Sequence, residues 1–165
     1  MENRIDTPVM TVPGAMSAMQ KLGNAAKETG IPDATLQLVH LRASQINSCS
    51  VCVDMHAREL KHLGEPDARI LTVAAWRDVP YFSEAERAAL ALTEAATRLA
   101  DSSDPVPDDV WDDVARHYDE TQLAGLVVAI GAINAWNRLN VVTRQISGDW
   151  VEQWITPRRE AGQAA

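Results

Sequence analysis

Apolar residues recur along the chain at three- and four-residue intervals, and turn-forming residues interrupt them every 10 to 25 positions or so, a rhythm that predicts helices throughout. Strand-like alternation bounded by hairpin turns is absent. The first helix is expected over Gly14 to Lys27, ending at Gly30-Ile31-Pro32. Asp33 can cap a second, whose apolar face is Leu36, Val39, His40, Ala43 and Ile46. A third is expected from Ser48 to Leu63 with Gly64 as its stop, and a fourth from Pro66 with Ile70, Leu71, Val73, Ala74 and Trp76 on its buried side. Ser83 and Glu86 form a capping box for an alanine-rich fifth helix running to Leu99. After a loop over Asp101 to Pro107 comes a short helix from Asp108 to His117. Asp119 and Gln122 then cap the longest, from Thr121 to Ile146, which is apolar on nearly all sides near its start. Beyond Gly148 the Trp150/Trp154 pair is expected to dock, and Arg158 to Ala165 to fray.

This pattern predicts an all-α helical bundle, with one domain over 1–148 and a tail over 149–165. Its 165 residues suffice for one buried core and not two. A formal net charge of −8 opposes nucleic-acid or anionic-membrane partners, and Arg158-Arg159 is too small a basic patch to reverse that. The uncharged stretch from Thr121 to Asn137 contains Gln122, Asn134 and Asn137 and falls short of the roughly 20 apolar residues of a membrane span. The charged start, Met1-Glu2-Asn3-Arg4-Ile5-Asp6, is unlike an export signal, so a cytoplasmic protein is expected. The two cysteines lie close together, a spacing that in a cytosolic chain speaks for catalysis or metal binding.

Chemistry concentrates in Ser44-Gln45-Ile46-Asn47-Ser48-Cys49-Ser50-Val51-Cys52-Val53-Asp54-Met55-His56. With Asn47 or Ser48 as the cap, Cys49 falls in a helical first turn, where the backbone N–H groups and the dipole lower a thiol pKa. Spacings of three and four place Cys49, Cys52 and His56 on one stripe. An imidazole there can move protons for a dithiol that cycles through thiolate, sulfenic acid and disulfide. Covalent haem attachment is excluded, because Val53 stands where its histidine would follow the second cysteine. A zinc site of Cys49, Cys52 and His56, with His40 or His62 as fourth ligand, is an alternative that lacks a second cysteine pair. Buried structural cysteines are another. A thioredoxin-like fold is disfavoured, since no βαβ pattern flanks the pair. The methionines Met10, Met16 and Met19 and the five tryptophans read as packing residues, and Asp108-Asp109 with Asp112-Asp113 as a solvated helix start.

The stretch Leu41 to His56, continuing through Ala57-Arg58-Glu59-Leu60 and Leu63-Gly64, resembles the core motif of the AhpD-like alkylhydroperoxidases in the carboxymuconolactone decarboxylase superfamily. The order of the later helices is also similar, so the resemblance covers roughly residues 30 to 145. It implies an all-α homo-oligomer, a trimer or hexamer, without a cofactor. It also implies a peroxide substrate and reduction by a separate dithiol protein, thioredoxin-like or lipoyl-type. Under this resemblance Cys52 is the attacking thiolate, Cys49 the resolving thiol and His56 the proton-relay base. Many relatives carry a glutamate twelve positions before the first cysteine, where this chain has Gln37, an amide that cannot accept a proton. His40, one turn from Gln37, is a weak substitute and reads better as a partly buried core histidine. Val51, between the cysteines, takes a place where relatives often have tyrosine or histidine. A thiol peroxidase is therefore expected, with a disulfide oxidoreductase or a non-enzymatic, metal-binding helical subunit as alternatives.

Overall fold

The computed structural model describes residues 2–100 and 102–155. Among them the chain is helical, with no strand: α1 (Pro8–Thr11), α2 (Ala15–Lys27), α3 (Asp33–Ile46), α4 (Ser50–His62), α5 (Asp67–Thr72), a 3-10 segment (Val73–Asp78), α6 (Glu84–Thr97), α7 (Asp108–Ala115) and α8 (Glu120–Val142). Both expected capping boxes form. Ser83 accepts from the Glu86 N–H, Asp119 accepts from the Gln122 N–H, and the Glu86 and Gln122 side chains return the bond. Asp33 and Pro66 sit one place from their expected roles. Asp33 is the first helical residue of α3, following Pro32 with no side-chain cap, and Pro66 caps α5. The expected fourth helix breaks into α5 and the 3-10 segment, and of its expected apolar face Val73 and Trp76 are buried while Leu71 and Ala74 are exposed; the four-residue α1 has no counterpart in the expectations.

α3 lies at the centre, packed against α4, α6 and α8. Its alternating faces explain this. Leu36 and Val39 join Leu92, Leu126 and Ile130 in one apolar cluster, while Leu38 and Leu41 join Leu60, Val73, Trp76 and Leu90 in a second. A third and smaller cluster contains both cysteines, with Ala43 of α3, Val51 of α4 and Ile133 of α8. The thiol pair is thus placed where three helices meet.

Two features hold this arrangement. Glu94 of α6 is buried and receives Arg42 Nε at 2.7 Å, Arg77 at 2.8 Å, Arg98 at 3.3 Å and the Trp76 indole N–H at 3.1 Å. Burial opposes its ionisation, yet these donors hold its carboxyl down to about 2. Gly125 lets the end of α2 reach α8, since a Cβ there would lie 2.2 Å from Thr29 Oγ1.

α8 is long and apolar enough by composition to cross a membrane, but half of its apolar window is buried against the bundle and it includes Asn134 and Asn137. It reads as a core helix. The turn of helix over 150–155 docks through Val151 and Ile155, both buried; of the expected Trp150/Trp154 pair, Trp154 is half-buried and Trp150 is exposed with its indole N–H on the Ile146 carbonyl. Glu152 ties this turn to α4 through Arg58 at 3.1 Å and His62 at 2.9 Å. Arg158, Arg159 and the expected frayed end lie outside the described residues.

Candidate active site

The chain passes from α3 to α4 in three residues. Asn47 ends α3, Ser48 turns back in the left-handed region (φ 57°), and the Cys49 N–H returns to the Ser44 carbonyl at 3.0 Å. Cys49 is itself the N-cap of α4, its Sγ accepting from the Cys52 N–H at 3.4 Å. The expected cap, Asn47 or Ser48, is therefore displaced by one or two residues. The physical reason is the backbone: Asn47 is still helical (φ −84°, ψ 0°) and Ser48 left-handed, so Cys49 is the first residue with the extended conformation a cap needs, while the Asn47 amide donates across to Asn134 Oδ1 and Asn137 Oδ1 of α8, each at 2.9 Å. Asn137 in turn donates to Ser44 Oγ at 3.1 Å, so a fully buried polar strut locks the α3–α4 corner onto α8.

Both cysteines are free and buried. Asn140 reaches them from α8, its Nδ2 lying 3.3 Å from Cys52 Sγ and 3.7 Å from Cys49 Sγ. The pair is electrostatically unequal. The Cys52 thiol donates to Cys49, and this, with the Cys52 N–H and the amides of Asn140 and Asn137, brings Cys49 down to about 7 against the opposing effect of burial. Cys52 is held well above the ordinary thiol range, first because its proton is shared with Cys49 and then by burial. This pattern differs from the division of labour that the resemblance implies. The sulfur at the helix N-cap, Cys49, is the one stabilised as thiolate.

Gln37 and His56 do meet. His56 Nδ1–H donates to Gln37 Oε1 at 2.7 Å, across the α3–α4 contact. The His40 ring lies 4.8 Å from the His56 ring, centroid to centroid, tilted by 48°. Burial, then His40 and Lys27, holds His56 well below the usual imidazole range, and burial with Lys27 brings His40 down to about 4. Both rings are therefore neutral near pH 7. With Nδ1–H committed to Gln37, His56 keeps the lone pair on Nε2 as a proton acceptor. His40 Nδ1 is buried with no hydrogen-bond partner. Among the described residues no hydrogen bond joins the His56 ring to a cysteine sulfur, so the site has two halves, a dithiol at the start of α4 and an imidazole pair formed by His56, one turn on, with His40 of α3. His62, the other proposed zinc ligand, instead faces Glu152. Among the described residues no three His, Cys, Asp or Glu side chains converge on a metal position.

A cavity of about 410 Å³ opens over this site, lined by Ser48, Cys49, Ser50, Asn140, Val141, Arg144 and Gln145. Cys49 lines it and Cys52 does not. Sequence reasoning missed Asn140, Asn137 and Arg144. The signal was present for the asparagines: Asn134, Asn137 and Asn140 recur every three residues, a polar stripe on an otherwise apolar helix.

Residues 13–95 match the carboxymuconolactone decarboxylase family. The chain belongs to it. A Bacillus subtilis (strain 168) protein, uncharacterised YdfG, is 37% identical over 129 residues, covering 78% of this chain and 86% of its own. Uncharacterised YnjA of Escherichia coli (strain K12) is 32% identical over 114 residues, which cover 69% of this chain but 61% of that protein. Among solved structures, an Agrobacterium tumefaciens protein of unknown function, proposed as an antioxidant defence protein AhpD, superposes with a TM-score of 0.82 at 35% identity. It covers 89% of this chain and 99% of its own. The AhpD-like branch of the family, expected from the Cys49–His56 motif, is thus supported by a fold match as well. The debrominase Bmp8 bound to 2,3,4-tribromopyrrole shares the fold at a TM-score of 0.75 and 17% identity, covering 90% of this chain and 79% of its own.

Proposed function

We propose that this protein is a thiol-dependent peroxidase acting on hydrogen peroxide or a small organic hydroperoxide. The observation that carries this reading is the unequal dithiol: a thiolate-stabilising position at Cys49 lining a cavity, backed by a protonated partner, Cys52. The Cys49 thiolate attacks the distal peroxide oxygen; an S–O bond forms and the O–O bond breaks. The leaving alkoxide takes the proton that Cys52 holds and departs as alcohol. The Cys52 thiolate then attacks the Cys49 sulfenic acid, and the S–S bond forms as hydroxide leaves and is protonated to water. His56, neutral and fixed by Gln37, is the base that exchanges protons with the pair. A separate dithiol protein, thioredoxin-like or lipoyl-type, then reduces the disulfide, and the subunits assemble as a homo-oligomer.

Trapping the sulfenic acid with dimedone tests the order of events. Cys52→Ser should accumulate the adduct on Cys49 after one equivalent of peroxide. An adduct on Cys52 in Cys49→Ser, with none on Cys49 in Cys52→Ser, would restore the order implied by the resemblance. Absence of an adduct in both, with no disulfide in the wild type, would sink the peroxidase reading. The same cavity-facing thiolate favours one second reading, disulfide exchange, which would show as disulfide reduction with no response to peroxide.

A further inference from the structure

Three helices of this protein end in the same way. After α3, α4 and α8 the chain closes with a paired return of two N–H groups: Ser48 to Gln45 and Cys49 to Ser44, Gly64 to Lys61 and Glu65 to Leu60, Arg144 to Val141 and Gln145 to Asn140. Each closure needs a residue at positive φ. At α4 it is Gly64 (φ 86°), the residue that adopts this conformation freely. At α3 and α8 it is Ser48 (φ 57°) and Arg144 (φ 55°). A side chain in this region costs about 1 kcal/mol or more relative to glycine. Both residues that bear this cost line the cavity over Cys49.

The guanidinium of Arg144 is also uncommitted. Among the described residues it has no hydrogen bond or ion pair, whereas Arg4 and Arg138, its neighbours at this end of α8, donate to the Val142 and Asn134 carbonyls. Arg144 is exposed, and it is the one charged side chain among the cavity-lining residues of a protein whose net charge is −8. No acidic residue lines the cavity. The other polar groups of the lining are neutral: the hydroxyls of Ser48 and Ser50 and the amides of Asn140 and Gln145. The volume of about 410 Å³ suits a small organic molecule and not a bulky one.

We propose that Arg144 is the specificity residue of this site, selecting small substrates that carry a carboxylate, and carboxylate-bearing hydroperoxides above all. The guanidinium binds the carboxylate at the rim as a forked donor, while the O–O bond reaches Cys49 below. The inference rests on the Cys49 thiolate assigned above, and two readouts separate its fate from that of the peroxidase reading. The first needs no turnover: alkylation of Cys49 in the full-length reduced protein by iodoacetate against neutral iodoacetamide, followed by peptide mass spectrometry. The second compares kcat/KM for cumene hydroperoxide carrying a para-carboxylate with that for its methyl ester. Arg144→Gly is the apt variant, because glycine satisfies the turn and the fold should persist with an undiminished Tm. Both the iodoacetate/iodoacetamide and the acid/ester ratios should fall by about fivefold in Arg144→Gly, the upper range for one exposed ion pair, and recover in part in Arg144→Lys. An alkylation ratio equal to that of the wild type would overturn the proposal, even with hydroperoxide turnover intact. A falling alkylation ratio without any hydroperoxide consumption would uphold the carboxylate site and remove the peroxidase reading.

Discussion

Gln37→Glu probes the relay at its shortest contact. In the wild type, Gln37 Oε1 lies 2.7 Å from His56 Nδ1 at a buried position, and the imidazole is held well below its usual range by burial, His40 and Lys27. A glutamate oxygen in the same place would put a full negative charge against the ring. At that separation and an effective dielectric of about 20, the gross attraction to an imidazolium is about 6 kcal/mol. Burying the carboxylate offsets more than half of this, which leaves an upward shift of about 1 to 3 pKa units for His56. An imidazolium one turn from Cys52 favours the thiolate form of the pair, so the acid limb of peroxide consumption should move down by about one pH unit and the rate near neutrality should rise severalfold. Two assays check this: NMR titration of the His56 ring, and initial rates across pH at saturating dithiol donor. An unmoved His56 titration in a folded variant would refute the Gln37–His56 contact. A moved titration with an unchanged rate profile would show that His56 does not act on the thiols.

Acid should weaken the fold through the imidazole pair. His40 has a folded pKa of about 4 against 6.5, so its contribution is complete above pH 6.5 and is lost as pH falls toward 4, at about 1.4 kcal/mol per pH unit. His56 adds a loss of the same sign, and Glu94 adds its own only below the ordinary carboxylate value of 4.5, toward about 2. Urea unfolding at several pH values should therefore show a slope that His40→Gln reduces by about half; an undiminished slope would count against a buried neutral His40. Asn140→Leu removes the amide shared by the two sulfurs and should raise the pH midpoint of Cys49 alkylation by about half a unit to one unit, and an unmoved midpoint would contradict the contact. Glu94→Gln strands three guanidiniums and should cost about 2 to 3 kcal/mol in denaturant unfolding, less than a fully buried network because Arg77 and Arg98 are half exposed. Arg98→Ala should cost under about 1 kcal/mol.

Much of the fold was determined by local rules that act within a few residues. The boxes Ser83/Glu86 and Asp119/Gln122 and the stop at Gly64 mark helix ends because capping satisfies N–H and C=O groups within one turn. The helical period likewise places Cys49, Cys52 and His56 on one stripe of α4. The family motif pointed to Gln37, and its contact with His56 lies across a single helix-to-helix packing interface. The start of α4 differs from expectation because Asn47 and Ser48 are spent closing α3, helical and left-handed in turn, so that the first extended residue is Cys49 and a sulfur caps in their place. The inequality of the two thiols begins locally, in the Cys52 N–H and thiol that Cys49 accepts at the start of α4, but only the tertiary structure buries both sulfurs among three helices and brings Asn140 to Cys52 from 88 positions away. It also decides which side chains border the cavity, because Ser48 and Arg144 come from the ends of different helices. Periodicity places residues on a face of their own helix. Only the packing of α3, α4 and α8 determines what that face meets, and therefore how far the two thiols are buried and which amides reach them.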